Sequence, residues 1–103
     1  SFGYRVSPYE IERVFKSHLF IENCVALGEE IEDGKTLVVI YIILNKSGRL
    51  HPNKFVEYGR KNLASYKAPK IVYIATEFPK TKNGKILRKK ISKEIILEKS
   101  DIR

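Results

Sequence analysis

Cysteine is almost missing from this 103-residue chain. Cys24 stands alone, which excludes an internal disulfide framework and any cysteine-rich zinc site. Two histidines, His18 and His51, argue against a histidine-based metal cluster. No run reaches the roughly 18–20 apolar residues of a membrane span, and the N-terminal residues lack the apolar centre of a secretory signal. Internal repeats and low-complexity tracts are absent too. These absences point to one reduced, cytoplasmic domain without a membrane span. The composition, 43% hydrophobic and 31% charged, is that of an ordinary globular protein. Its length supplies one compact core and leaves no room for a separate nucleotide-binding domain.

Acid is scarce in one part of the chain only. Residues 1–45 hold four bases and seven acids, whereas residues 46–93 hold fourteen bases against Glu57 and Glu77 alone. The net charge of +8 is therefore concentrated after residue 46. Such a field draws anions to one part of the surface, and phosphate is the usual biological candidate, on a nucleic acid or on a small cofactor.

The first local signal is Ser7-Pro8-Tyr9-Glu10. Ser7 and Glu10 have the spacing of a capping box, and Pro8 occupies the first helical position, where its missing donor costs nothing. Ile11, Val14, Phe15 and Leu19 then fall on one stripe, so a helix is predicted from about Pro8 to about Ser17. Asn23–Gly28 reads as a short strand. Thr36–Leu44 carries an unbroken apolar run rich in β-branched residues; without alternation it reads as a central strand covered on both faces. A second helix is expected from about Asn53 to Ala64, a third strand over Lys70–Ala75, and a closing helix over Arg88–Leu97 with Ile91, Ile95 and Ile96 apolar. Lys89, Lys90 and Lys93 would form the solvated face of that helix. Ser1–Val6 is expected as a short strand or hairpin arm. The fold class is α+β, a small three-stranded sheet packed with helices.

The chemistry concentrates in Pro79-Lys80-Thr81-Lys82-Asn83-Gly84-Lys85-Ile86-Leu87-Arg88, with four cations in ten residues and no acid. Gly84 permits a positive φ just before Lys85. Lys85 would then project as a long, compact charge able to hold a phosphate and a carboxylate together without forming a covalent bond. The bland reading of the same residues is a solvated basic loop.

Pro79-Lys80-Thr81 followed by Asn83-Gly84-Lys85 and Arg88 resembles the C-terminal signature of the adenylate-forming superfamily, which comprises acyl- and aryl-CoA synthetases, peptide-synthetase adenylation domains and firefly luciferase. Gly3-Tyr4-Arg5-Val6-Ser7-Pro8-Tyr9-Glu10-Ile11-Glu12 resembles the segment just past the family's interdomain hinge. Ser65-Tyr66-Lys67-Ala68-Pro69 resembles the segment before its third strand. The three motifs stand in order across residues 3–91.

That resemblance implies a C-terminal lid, residues 1–103, of an AMP-forming acid-thiol ligase whose large N-terminal domain is its partner. ATP, CoA and a carboxylic acid are the implied substrates, with Mg2+ accompanying ATP and bound outside this chain. Lys85 matches the family's lid lysine for adenylation, beside Gly84. Gly3, Tyr4 and Arg5 match the segment that lines the pantetheine tunnel after the lid rotates, and Arg60 lies where some CoA synthetases place an arginine against CoA. For Arg5 the competing reading is a strand-edge charge, and for Arg60 an exposed helix residue. Cys24 reads as a core residue and Glu10 as a helix cap. The family's phosphate loop, adenine pocket and acyl pocket are not in this sequence, so the chain alone is expected to be inert.

Two other readings remain open. Tyr66-Lys67-Ala68-Pro69 favours free CoA over a carrier-protein thiol, since peptide-synthetase domains more often resemble Tyr-Met-x-Pro there. An independent nucleic-acid-binding module is permitted by the charge, but no RNA or DNA motif is present and aromatics do not interleave with the cations; no nucleic acid is the expected partner.

Overall fold

The computed structural model describes residues 6–101 apart from the side chain of Asp33. The helix α1 (Pro8–Lys16) is followed by strands β1 (Ile21–Glu30) and β2 (Thr36–Leu44), helix α2 (Pro52–Asn62), strand β3 (Ile71–Ala75) and strand β4 (Ile96–Lys99). The sheet order is β1-β2-β3-β4. β1 runs antiparallel to β2, with Ala26 opposite Ile40; β2 runs parallel to β3, with Tyr41 opposite Tyr73; β3 runs antiparallel to β4. Two parallel neighbours require a crossover, and α2 provides it. The α+β class and the three expected strands are present.

Period-two alternation within the strands builds two cores. Cys24 and Ala26 on β1, Val38, Ile40 and Ile42 on β2, and Val72 and Ile74 on β3 face the helices, where Ile11 and Phe15 of α1 and Phe55 and Val56 of α2 complete the layer. Val25, Val39, Tyr41, Ile71, Tyr73 and Ala75 face the other way and are covered by Phe78, Ile86, Ile91 and Ile95 from the segment after β3. The apolar run of β2 is thus buried on both faces, as its lack of alternation requires. Phe15 meets Tyr58 edge-on, with ring centroids 5.5 Å apart, and ties α1 to α2.

The expected closing helix does not form. Residues 88–90 and 93–95 make two short 3-10 turns, and the chain then enters β4. Two physical reasons favour the strand. Three cations, Arg88, Lys89 and Lys90, would crowd the positive end of a helix dipole. β3 would otherwise present an open edge, which β4 pairs. The isoleucines at 91, 95 and 96 still bury against the sheet, so their apolar spacing was real and its period misleading.

The capping box is also absent. Ser7 is the N-cap residue but makes no side-chain cap bond. Glu10 Oε2 instead accepts a hydrogen bond from Lys67 Nζ at 2.9 Å, which holds the Lys67 ammonium above its ordinary pKa. A cation within reach outcompetes a backbone N–H for an exposed carboxylate. At α2 the cap is His51, whose Nδ1 accepts the Asn53 N–H at 3.1 Å.

Cys24 lies in the core as expected, its Sγ 3.6 Å from the Glu12 carbonyl oxygen, to which the thiol donates. Burial, reinforced by the Glu12 carboxylate, pushes its pKa up to about 12. At that pKa only about one thiol in ten thousand is ionised at pH 8. Ellman's reagent should therefore leave the native thiol largely unmodified over a period in which guanidinium-unfolded protein reacts fully; comparable rates would show that Cys24 is accessible.

Candidate functional site

Lys85 sits on a hairpin that the sequence builds by short-range hydrogen bonds. The Thr81 carbonyl accepts the Gly84 N–H at 2.9 Å, and the Lys85 carbonyl accepts the Thr81 N–H at 2.8 Å. Thr81 Oγ1 accepts the Lys85 N–H at 3.1 Å. Lys80 and Ile86 form a bridge, and the Leu87 N–H reaches the Pro79 carbonyl at 2.8 Å. A three-residue loop of this kind closes through a residue at positive φ. Gly84 has φ +86°, the region L side chains avoid.

The hairpin lies on the sheet face opposite the helices, rooted by buried Phe78 and half-buried Ile86. Lys82, Asn83, Gly84 and Lys85 are all exposed at its tip. Among the described residues the Lys85 ammonium enters no salt bridge. It is a solvated cation on a backbone with a defined shape, and lysines 80, 82, 89 and 90, near it in sequence, are exposed as well.

Of the other candidates among the described residues, Gly84 adjoins Lys85 and Arg60 does not. Arg60 is exposed on α2, in the opposite layer, where it lines a groove of about 370 Å³ with Val56, Glu57, Leu37, Lys70 and Asp101. That groove carries both signs of charge. Gly3, Tyr4 and Arg5 lie outside the described residues.

Two polar clusters were not anticipated from the sequence. In the first, Arg88 donates from Nη1 and Nη2 to the two carboxylate oxygens of Glu12, at 2.7 and 2.8 Å. The Glu12 side chain is only 5% exposed and that of Arg88 31%. The hydrogen bonds to Glu12 hold the Arg88 guanidinium above its ordinary pKa, against opposing burial. In the second, Glu29 accepts from the Tyr73 hydroxyl at 2.9 Å and from Lys93, while Lys93 Nζ lies 4.1 Å from the centre of the Tyr73 ring. Tyr73 stacks on Tyr41 at 4.7 Å. Burial pulls the Lys93 ammonium down, but its bonds to Glu29 and Tyr73 prevail and raise it. Lys93 is thus engaged with the sheet and does not belong to a solvated helix face, because the helix that would have carried it is replaced by a turn. Sequence does carry one hint of the first cluster: Glu12 follows Ile11 and precedes Phe15 on the buried side of α1, where a carboxylate demands a cation.

These clusters give the charge asymmetry a structural meaning. Lys67–Glu10, Arg88–Glu12 and Lys93–Glu29 each join an acid of the first 45 residues to a base of the later stretch. Lys80, Lys82 and Lys85 of the hairpin and Lys89 and Lys90 beyond it are among the exposed bases outside these three pairs, as are Arg60 and Lys61 on α2.

The chain matches the AMP-binding enzyme C-terminal domain over residues 10–85. It is 34% identical over 90 residues to an oxalate–CoA ligase of Saccharomyces cerevisiae, covering 87% of this chain and 17% of that protein. Identity to a 2-succinylbenzoate–CoA ligase of Staphylococcus epidermidis is 32% over 96 residues, covering 93% of this chain and 20% of that one. A Mycobacterium tuberculosis fatty acyl CoA synthetase superposes with a TM-score of 0.75 at 29% identity over 86% of this chain and 18% of that structure. The fold is also that of the Bacillus subtilis o-succinylbenzoate coenzyme A synthetase in complex with AMP, with a TM-score of 0.77 and 24% identity, covering 93% of this chain and 19% of that one. The chain spans about a fifth or less of the length of the curated relatives it matches. The match begins in the first turn of α1 and ends on Lys85 itself, so this chain belongs to the AMP-binding enzyme C-terminal domain family.

Proposed function

We propose that this chain is the C-terminal lid of an AMP-forming acyl- or aryl-CoA ligase, acting with a large N-terminal domain of the same polypeptide. The observation that carries this reading is the presentation of Lys85 at the tip of a hairpin closed by Gly84. The CoA ligases among its relatives support it. In the first half-reaction a carboxylate oxygen bonds to the α-phosphorus of ATP as the bond to the pyrophosphate oxygen breaks. Acyl-adenylate forms and pyrophosphate leaves. In the second, the CoA sulfur attacks the acyl carbon, the bond to AMP breaks and a thioester is released. Lys85 serves the first step, in which two anions must approach. Gly3, Tyr4 and Arg5 serve the second, with Arg60 a candidate for the CoA phosphates. Mg2+ would arrive with ATP; among the described residues no group of three His, Cys, Asp or Glu side chains offers it a site.

The test is made on the full-length protein. Pyrophosphate should exchange into ATP only when a suitable carboxylic acid is present, and free CoA should then yield thioester and AMP. No exchange with any acid of a broad aliphatic and aromatic panel would overturn the reading. Thioester formation with a phosphopantetheinyl carrier protein but not with CoA would assign the lid to a carrier-loading enzyme. Binding to generic DNA should be negligible at physiological salt, whereas tight binding falling steeply with salt would favour a nucleic-acid module.

Gly84 offers a graded check. A Cβ there meets nothing within 4 Å, so substitution is resisted by φ alone. Gly84→Ala should slow the first half-reaction roughly 5–30-fold, the equivalent of about 1–2 kcal/mol of backbone preference. Gly84→Asn should lose less, because asparagine visits this region more readily. Equal rates in all three proteins would show that the hairpin shape does not matter.

A further inference from the structure

We propose that Arg88 is a positioning residue for Lys85, acting through Glu12 on the side of β1 away from β2; the proposal rests on the adenylation role given to Lys85. Among the described residues β1 is the outermost strand of the sheet, and Ala26 turns both its N–H and its carbonyl away from β2. Glu12 Oε2 accepts the Ala26 N–H at 2.8 Å, and Arg88 Nη1 reaches the Ala26 carbonyl at 3.4 Å. The same guanidinium forks onto both oxygens of Glu12 and lies 5.1 Å from the centre of the Tyr9 ring. Arg88 is therefore gripped by α1 and by β1 at once, around the edge of the sheet from the hairpin it follows.

The hairpin inherits its place from its roots. Its entering leg is fixed by buried Phe78. On its leaving leg, Ile86 makes apolar contacts, while Leu87 donates its N–H to the Pro79 carbonyl at 2.8 Å and accepts the Lys90 N–H at 2.9 Å, both backbone bonds to near neighbours on the hairpin and its exit. Arg88 is the residue of that leg that binds the body of the domain by directed, charged hydrogen bonds. It stands three residues from Lys85, at most about 10 Å along the chain. Lys85 itself has no salt bridge among the described residues, so its ammonium can be no better placed than that leg. The fork also demands a guanidinium. A lysine at 88 would keep the charge but lose the paired, planar contact.

A merely structural role for Arg88 would depress both half-reactions together, in proportion to the folded fraction. A positioning role acts on the step that uses Lys85. In the full-length protein, Arg88→Met should lower carboxylate-dependent pyrophosphate exchange by about 10–100-fold, the scale of a misplacement near 1 Å. Thioester formation from supplied acyl-adenylate should stay within about threefold of the unaltered protein, the scale of ordinary secondary effects. Arg88→Lys and Glu12→Gln should show smaller losses confined to the same step. In a Lys85→Ala background, adding Arg88→Met should cost less than about twofold more, because the two act as one unit.

Parallel loss in both half-reactions, or full additivity with Lys85→Ala, would overturn the proposal. So would unaltered exchange in Arg88→Met. If Arg88→Met does not accumulate as folded protein, Arg88→Lys and Glu12→Gln decide the matter by the same split between the two steps. Absence of exchange in the unaltered protein with every acid would instead remove the ligase reading on which the proposal stands.

Discussion

Replacing Lys85 by alanine in the full-length protein should slow adenylation on the order of 10²–10³-fold, the usual cost of losing one preorganised contact to developing charge. Thioester formation from supplied acyl-adenylate should be largely spared. The asymmetry follows from where charge accumulates. In adenylation a carboxylate approaches a polyphosphate, and repulsion between them rises until the new bond forms. A cation about 4 Å from the shared oxygens, at an effective dielectric near 20, contributes about 4 kcal/mol before its desolvation is subtracted. In the second half-reaction the phosphate is already esterified and leaves as AMP, so that contact is no longer needed.

Two structural features would suit Lys85 to the proposed role. Its side chain is exposed at the tip of a hairpin and forms no salt bridge among the described residues, so no internal contact of that kind must be broken before substrate is reached. Its backbone is held by the Thr81 turn, so the search is confined to the side chain. Measurement of pyrophosphate exchange and of thioester release on the same variant separates the two steps. Near-normal exchange would remove Lys85 from the mechanism.

How much of this was legible in the sequence depends on the range of the interaction concerned. The glycine turn before Lys85 was readable because its determinants are adjacent residues, Asn83-Gly84, whereas the closing of that loop into a hairpin rests on the Thr81–Lys85 and Pro79–Leu87 backbone bonds and was not anticipated. The central position of β2 was readable because an apolar run without alternation has nowhere to go but between two layers. The boundaries of α1 and α2 came within two residues at each end, set by Pro8 and by the loop before Pro52. The closing helix was misread because local spacing of isoleucines favours a helix, while the decision lay with the open edge of β3, some twenty residues back.

The polar contacts follow the same division. Glu10 and Ser7 looked like a cap because they are three residues apart, yet Lys67 is the partner Glu10 takes. Nothing in the spacing links Glu12 to Arg88, 76 positions later. Only the fold, by carrying the chain from the far face around the edge of β1, brings them together. The candidate site was therefore legible where it is local and hidden where it is held in place.

That hidden contact has a stability signature that depends on which partner is removed. Arg88→Met leaves a carboxylate in a position only 5% exposed, with the Ala26 N–H as its remaining donor. A buried charge deprived of its partner typically costs about 3–5 kcal/mol. Glu12→Gln is milder. The glutamine oxygen can still accept the Ala26 N–H, and the Arg88 side chain, 31% exposed, can turn its charge toward water. A loss of about 1–2 kcal/mol is expected, the scale of a charge-assisted hydrogen bond. Replacing both by apolar side chains of similar volume removes the buried charge along with its partner and should recover much of the loss. Thermal unfolding of the 103-residue chain reads the order directly, because 1 kcal/mol moves the midpoint of a domain this size by about 4–8 °C. The expected ranking is Arg88→Met least stable, with the double apolar variant and Glu12→Gln both above it and Glu12→Gln about 4–16 °C below the unaltered chain. If Glu12→Gln and Arg88→Met fell equally, the carboxylate would not be as deeply withdrawn from solvent as its position on α1 requires.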